Sequence, residues 1–206
     1  MKLYTSPTGP NPRAMRMIVG FKEMDIETTD VDMMAADNRK PEFLKINPAG
    51  QLPCLELDDG TVIAEVAAIA EYLEELKPDP VLCGADAVAR AQTRMWMRRA
   101  DYMVIAPMAH GFRHGEGKKF FAPRFPIHED ISAPSKAMGR EGLAWFDAQL
   151  KGRQYLCGDR ISYADMIFFS AVDFFAGLGQ PLDEALGNLG AYMKRLADDP
   201  RVGGVE

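Results

Sequence analysis

The chain has little cysteine, little histidine and no long apolar run. Only Cys54, Cys83 and Cys157 occur among 206 residues, an odd number with no C-x-x-C pair. That argues against a disulfide framework and for reduced thiols in a reducing compartment, so a cytoplasmic location is expected. No stretch of about 18 apolar residues exists, so no membrane partner is expected. The opening residues Met1-Lys2-Leu3-Tyr4-Thr5-Ser6-Pro7 lack the apolar stretch of a signal peptide. Basic residues are outnumbered 24 to 30, a formal net charge of -6. No nucleic acid partner is expected, because phosphate binding needs a basic face. His110 and His114 lie four apart and can share a helix face, but no third-ligand motif accompanies them, so no metal is expected.

What is present is ordinary globular composition, 47% apolar and 26% charged. Thirteen methionines are consistent with adaptable core filling or with a plastic apolar binding wall. The first 77 residues alternate strand and helix signals. Residues 1–4 read as a strand, and Ser6 to Pro12 as a loop carrying three prolines and a glycine. Pro12 suits a first helical turn, and Ala14, Met15, Met17, Ile18 and Phe21 follow at helical spacing. A second strand is expected over 27–31, and Pro41 opens a short helix. Residues 52–57 and 61–63 flank Asp58-Asp59-Gly60, a tight-turn signal, and form a hairpin. Residues 65–76 are a helix with Val66, Ile69, Ala70, Leu73 and Leu76 on one face. The order β-α-β-α-β-β-α gives a small mixed sheet covered by helices.

Lys77-Pro78-Asp79-Pro80 breaks that pattern, and no strand pattern follows. Residues 87–112 form a long helix that Pro107 must kink or break. Residues 116–128 are expected to be loop, and 132–150, 162–175 and 187–196 to be helices. Ser162 and Asp165 have the spacing of a reciprocal cap, with Ile161 and Met166 at the staple positions. The helix they start must be buried, because Ile167, Phe168 and Phe169 leave no polar stripe. The division expected is an α/β domain over residues 1–77, a linker over 78–85 and an all-helical domain over 86–206.

Four local motifs stand in order along this framework. They are Pro41-Glu42-Phe43-Leu44-Lys45-Ile46-Asn47-Pro48 with Gly50-Gln51-Leu52-Pro53, then Leu57-Asp58-Asp59-Gly60-Thr61, then Glu65-Val66-Ala67-Ala68-Ile69-Ala70-Glu71-Tyr72-Leu73, then Ser162-Tyr163-Ala164-Asp165. Each is weak alone. Together, over about 160 residues, they resemble the cytosolic glutathione transferases. Gly9-Pro10-Asn11-Pro12-Arg13 resembles in particular the atypical fungal and bacterial members with a G-P-x-P or S-P-N-P loop. The resemblance implies a thioredoxin-like N-terminal domain, glutathione as co-substrate, a cis peptide before Pro53 and a homodimer. It implies an enzyme that adds the glutathione thiolate to a small hydrophobic electrophile. Peroxide reduction or ether or halide cleavage on the same scaffold, and a non-catalytic interaction module, stay open, because fold does not fix function.

The implied site takes the γ-glutamyl carboxylate at the helix start Glu65-Val66, where free N–H groups and the positive dipole end favour an anion. Val66 stands where the family usually has serine, which leaves the backbone N–H. Leu52, before Pro53, pairs its backbone with the cysteinyl unit as an added strand does. Asn38, Lys40 and Gln51 fall where the family contacts the cysteinyl or glycyl part. Cys54 reads as core, and the loop from Ser6 to Arg13 has no cysteine for redox chemistry. Lowering a thiol pKa by two units takes about 2.7 kcal/mol of preference for the thiolate, which one donor and a helix tip can supply. The donor candidates are Thr8 and Asn11, with Ser6 and His114 in reserve. Relatives place a serine where this chain has Gly9, and Tyr4 is expected to point into the core. Tyr102, Met103, Ala106, His110, Phe112 and Phe168 are the expected walls of the electrophile pocket.

Overall fold

The computed structural model describes residues 1–205. Strand β1 (Lys2–Thr5) lies in a four-stranded sheet of order β2-β1-β3-β4, where β2 is Glu27–Asp30, β3 is Cys54–Glu56 and β4 is Val62–Ala64. β1 runs parallel to β2 and antiparallel to β3, and β3 pairs antiparallel with β4. Helix α1 (Pro10–Phe21) makes the β1–β2 crossover, α2 (Pro41–Ile46) follows β2, and α3 (Val66–Leu76) follows the hairpin.

Period-two alternation sorts the two faces of the sheet. Leu3 pairs with Leu55, and both face the main core with Met15, Ile18, Ile69 and Leu73. Tyr4 pairs with Cys54 on the opposite face, beside Val31, Phe43 and Leu52. Tyr4 is half-buried there. Its hydroxyl donates to Glu56 Oε2 at 2.7 Å, a bond that pushes its pKa up to about 12. Cys54 is the buried core residue expected, and burial raises its thiol to about 11.

The second half is helical: α4 (Ala87–Ala100), α5 (Ala106–His114), α6 (Lys118–Phe121), α7 (Ser132–Leu150), α8 (Tyr163–Ala176) and α9 (Gly187–Asp198). The break foreseen at Pro107 is a π-helical turn over Asp101–Ile105 that joins α4 to α5. Proline has no N–H to return to residue 103 and its ring crowds that carbonyl, so the chain widens by one residue. The stretch expected to be loop after residue 115 contains the single turn α6, a correction of limited extent. Leu76, placed on an apolar helix face by periodicity, is exposed.

Helix α8 is the axis of the molecule. From Tyr163 to Val172 every residue is buried. Its cap is more than a cap. The Asp165 carboxylate is fully buried and accepts from Ser162 N (2.8 Å), Ser162 Oγ (2.7 Å), Leu156 N (2.8 Å) and Tyr192 Oη (3.0 Å). Helix α8 also carries α1. Ser170 Oγ donates to the Pro10 carbonyl at 2.8 Å, and Arg13 Nη1 reaches Asp173 at 2.5 Å with its guanidinium over Phe169. The start of α1 is therefore held from the helical side. No helix of the described residues is long and apolar enough to cross a membrane.

Candidate glutathione site

Two helix starts open on one cleft. At the start of α1, Pro10 and Pro12 carry no N–H, and Arg13 N turns back to the Gly9 carbonyl at 3.3 Å. Asn11 therefore holds the one unpaired amide of this first turn among the described residues, together with a side-chain carboxamide. At the start of α3, Glu65 sits at φ 73°, a conformation uncommon for a residue with a side chain. Its carbonyl caps Ile69 N at 3.0 Å, while the N–H groups of Val66, Ala67 and Ala68 have no protein partner among the described residues. No acid stands in this first turn.

The corner between α2 and β3 closes one side. Leu52-Pro53 is cis. The Leu52 side chain is buried in the small core cluster. Neither its N–H nor its carbonyl has a protein partner among the described residues. Asn11, Asn47, Gln51, Leu52, Pro53, Ala64, Glu65 and Val66 line one recess. Asn11, Glu65 and Val66 also line an adjoining cleft of about 360 Å³ with Ala67, Glu71, Arg94, Met97, Asp101, Ile105 and Ile167. In that cleft Arg94 grips Glu71 through two bonds of 2.7 Å, and Tyr163 Oη donates to the same carboxylate at 3.2 Å. The Arg94 bonds hold the Glu71 carboxyl below its usual range.

Six of the expected residues, Asn11, Gln51, Leu52, Pro53, Glu65 and Val66, are thus brought together. The others go elsewhere. Asn38 is buried and donates from Nδ2 to the Gly50 carbonyl at 2.7 Å, behind the corner. Lys40 is exposed and paired with Asp37 at 2.6 Å. Ser6 is buried beneath the loop, with its carbonyl gripped by Arg16 at 2.7 Å, and Thr8 is exposed with its hydroxyl 3.4 Å from Ser6 Oγ.

His114 is buried and accepts from His128 N at 3.1 Å. Burial lowers its pKa, and His110 and His128 add to the shift. None of the six expected wall residues lines either cleft. Phe168 is fully buried and stacked on Phe146, Tyr102 and His110 are exposed, and Phe112 packs against Phe121, Phe174 and Phe175. Met97, Ile105 and Ile167 supply apolar lining of the larger cleft. The π turn over Asp101–Ile105 re-aims the residues after it, Ala106, His110 and Phe112, by about 100° relative to an unbroken helix. No group of three or more His, Cys, Asp or Glu among the described residues could hold a metal.

Comparison with known proteins agrees with this geometry. Residues 8–76 match the glutathione S-transferase N-terminal domain and residues 116–200 the glutathione S-transferase C-terminal domain. The chain belongs to the glutathione S-transferase family. It is 31% identical to glutathione S-transferase 2 of Saccharomyces cerevisiae, across 98% of this chain and 88% of that protein. It is 28% identical to the transferase GstA of Escherichia coli, across 98% and 95%. The crystal structure of Gtt2 from Saccharomyces cerevisiae superposes with a TM-score of 0.92 at 29% identity, covering 99% of each chain. The atypical fungal resemblance read from the loop before α1 agrees with these relatives. With family membership comes glutathione transferase activity, with glutathione as co-substrate.

Proposed function

We propose that the recess between the two helix starts holds reduced glutathione in one orientation. The γ-glutamyl carboxylate lies on the free N–H groups of Val66 and Ala67, and Glu65 accepts from the ammonium. The cysteinyl backbone pairs with Leu52. The sulfur then faces the start of α1, where the Asn11 amide and carboxamide stabilise the thiolate and the thiolate attacks a hydrophobic electrophile. The observation that carries this reading is the sharing of Asn11, Glu65 and Val66 by both clefts. One residue set touches the tripeptide and the space beside it. Gln51 contacts the peptide from the corner, and Thr8, Ser6, Lys40 and Asn38 have supporting places at most.

We assign residues 1–77 to glutathione and 86–206 to the electrophile, with 78–85 as the connection. A homodimer in the cytoplasm completes the proposal. Val88, Met95 and Tyr102 recur every seventh residue along α4 and the π turn, and they stand 68%, 39% and 66% exposed. They form an apolar stripe of the kind subunit interfaces bury, and Leu76 at the end of α3 is exposed as well.

Titration of isotope-labelled protein with millimolar reduced glutathione tests the site. Shifts of the Val66, Ala67 and Leu52 amides are expected, together with turnover of 1-chloro-2,4-dinitrobenzene. Unmoved amides at saturation would remove the assignment.

A further inference from the structure

Three arginines meet where the helical half leans on the loop before α2, and none has an acidic partner. Arg39 follows β2, Arg113 lies near the end of α5, and Arg124 lies just beyond α6. No ion pair involving any of them occurs among the described residues, in a chain with six more acids than bases. Arg113 Nε is buried without a hydrogen-bond partner. Such an orphaned donor is costly to leave unmade, all the more so in a cation.

The two guanidiniums are held by rings. Phe121 is contacted by Arg113 at 5.5 Å and by Arg124 at 5.9 Å from its centroid, while Phe125 backs Arg113 at 4.9 Å and Phe120 backs Arg124 at 3.6 Å. Burial and the neighbouring Arg39 both disfavour the charge on Arg113 and on Arg124, so Arg39 repels each of them in the free protein. An arrangement that keeps like charges together and partly dry is stabilised when an anion joins it.

Two of these arginines hold segments that flank the recess. Arg124 Nη2 donates to the Met33 carbonyl at 2.5 Å, and the Met33 methyl lies 3.4 Å from where a Cβ at Gly9 would stand. Arg39 Nη1 donates to the Ala49 carbonyl at 3.2 Å, next to the Gly50-Gln51-Leu52 corner. Gly9 is the N-cap of α1, directly before Pro10 and two positions before Asn11.

We propose that Arg113 and Arg124, with Arg39 behind them, form a carboxylate site for the second substrate, so that the preferred electrophile is an aromatic or alkyl compound bearing a carboxylate. Planar guanidinium forks match a carboxylate in two-point contact, and the rings that brace them suit an apolar body. This inference rests on the proposed thiolate chemistry for its purpose, but not for the anion site itself. Glutathione carries a glycyl carboxylate of the same chemistry, so the two sources must be separated.

The test uses the whole protein and a near-isosteric pair, 4-chloro-3-nitrobenzoate and 4-chloro-3-nitrobenzamide. In both, the thiolate sulfur bonds to the ring carbon and chloride leaves with its electron pair. Wild-type protein is expected to favour the benzoate in kcat/KM. Arg113→Gln and Arg124→Gln are expected to reduce the benzoate-to-benzamide ratio at least tenfold, and Arg124→Lys to restore part of it. Equal loss on both substrates, or an unchanged ratio, overturns the proposal. So does a KM rise for glutathione that vanishes with its glycyl ethyl ester, because the arginines then serve the peptide.

Calorimetry with 4-nitrobenzoate alone supplies a readout without turnover. Binding by wild type and its loss in Arg113→Gln support the anion site even if no transfer is seen, in which case only the thiolate reading fails. No binding by wild type refutes the site.

Discussion

Asn11 shows how much one residue can acquire from its neighbours. Two prolines remove the competing donors of the first turn, and α8 grips Pro10 and Arg13 from outside, so the carboxamide is presented on a fixed support. A hydrogen bond to a charged group contributes about 1.5–3 kcal/mol. Asn11→Ala is therefore expected to reduce kcat/KM near neutral pH roughly 10- to 100-fold, with glutathione affinity little changed. The ultraviolet absorbance of the bound thiolate, followed against pH, should move to higher pH. An unmoved titration would transfer the role to the backbone.

His114 offers a prediction of a different sort at the same scale. Burial lowers its pKa from the ordinary 6.5, so the folded state prefers the neutral ring. Above 6.5 both states are neutral and the full stability is present. As pH falls from 6.5 through the lower folded value, the unfolded chain binds the proton first and stability is lost. His114→Gln should flatten the fall in urea midpoint between about pH 7 and pH 5; a slope equal to that of the wild type would show that another group is responsible.

Elements were legible wherever a period repeated. The β-α-β-α-β-β-α order, the Asp-Gly hairpin, the proline-opened helices and the buried α8 all follow from alternation, 3.6-residue spacing and caps. The π turn was legible only as a break, since Pro107 says that a helix must yield but not in which direction. That turn decides where Ala106, His110 and Phe112 point.

Its packing is tight. A Cβ on Gly142 of α7 would lie 2.1 Å from the Met103 carbonyl inside the turn, so the two helices touch backbone to side-chain position. Gly142→Ala should cost about 3 kcal/mol, the upper range for overpacking. Gly190, inside α9, meets nothing within 4 Å, and Gly190→Ala should stabilise by roughly 0.5–1 kcal/mol through helix propensity alone. Thermal unfolding of the pair checks both signs, and equal effects would contradict the difference in packing.

At the scale of the molecule, the connection between the halves is pinned by a fully buried lysine. Lys22 Nζ reaches Glu74 at 2.6 Å and donates to the carbonyls of Lys77 at 2.7 Å and Pro80 at 2.8 Å. Glu74 in turn accepts from Leu82 N and Cys83 N. Breaking a buried pair from one side leaves the other charge unpaired, so Lys22→Met should lose about 3–5 kcal/mol. Lys22→Met with Glu74→Leu should recover part of that in urea unfolding; no recovery would mean that the backbone acceptors dominate. Val88→Asp should halve the mass seen by sedimentation if the α4 stripe joins two subunits, and a monomeric wild type would remove that interface.

The sequence by itself determined the sheet order, the helix starts, the corner at Leu52-Pro53 and the family, because each depends on residues close together in the chain. It also singled out Asn11, Glu65 and Val66, which sit in local motifs and which the fold brings to one recess. Only the tertiary structure decided that Phe168 is core, that Asn38 serves the loop instead of the cleft, and that Lys22 holds the connection. It alone brought Arg39, Arg113 and Arg124 together across more than 70 positions. Those outcomes depend on which faces meet in space, which no pattern local in the chain records.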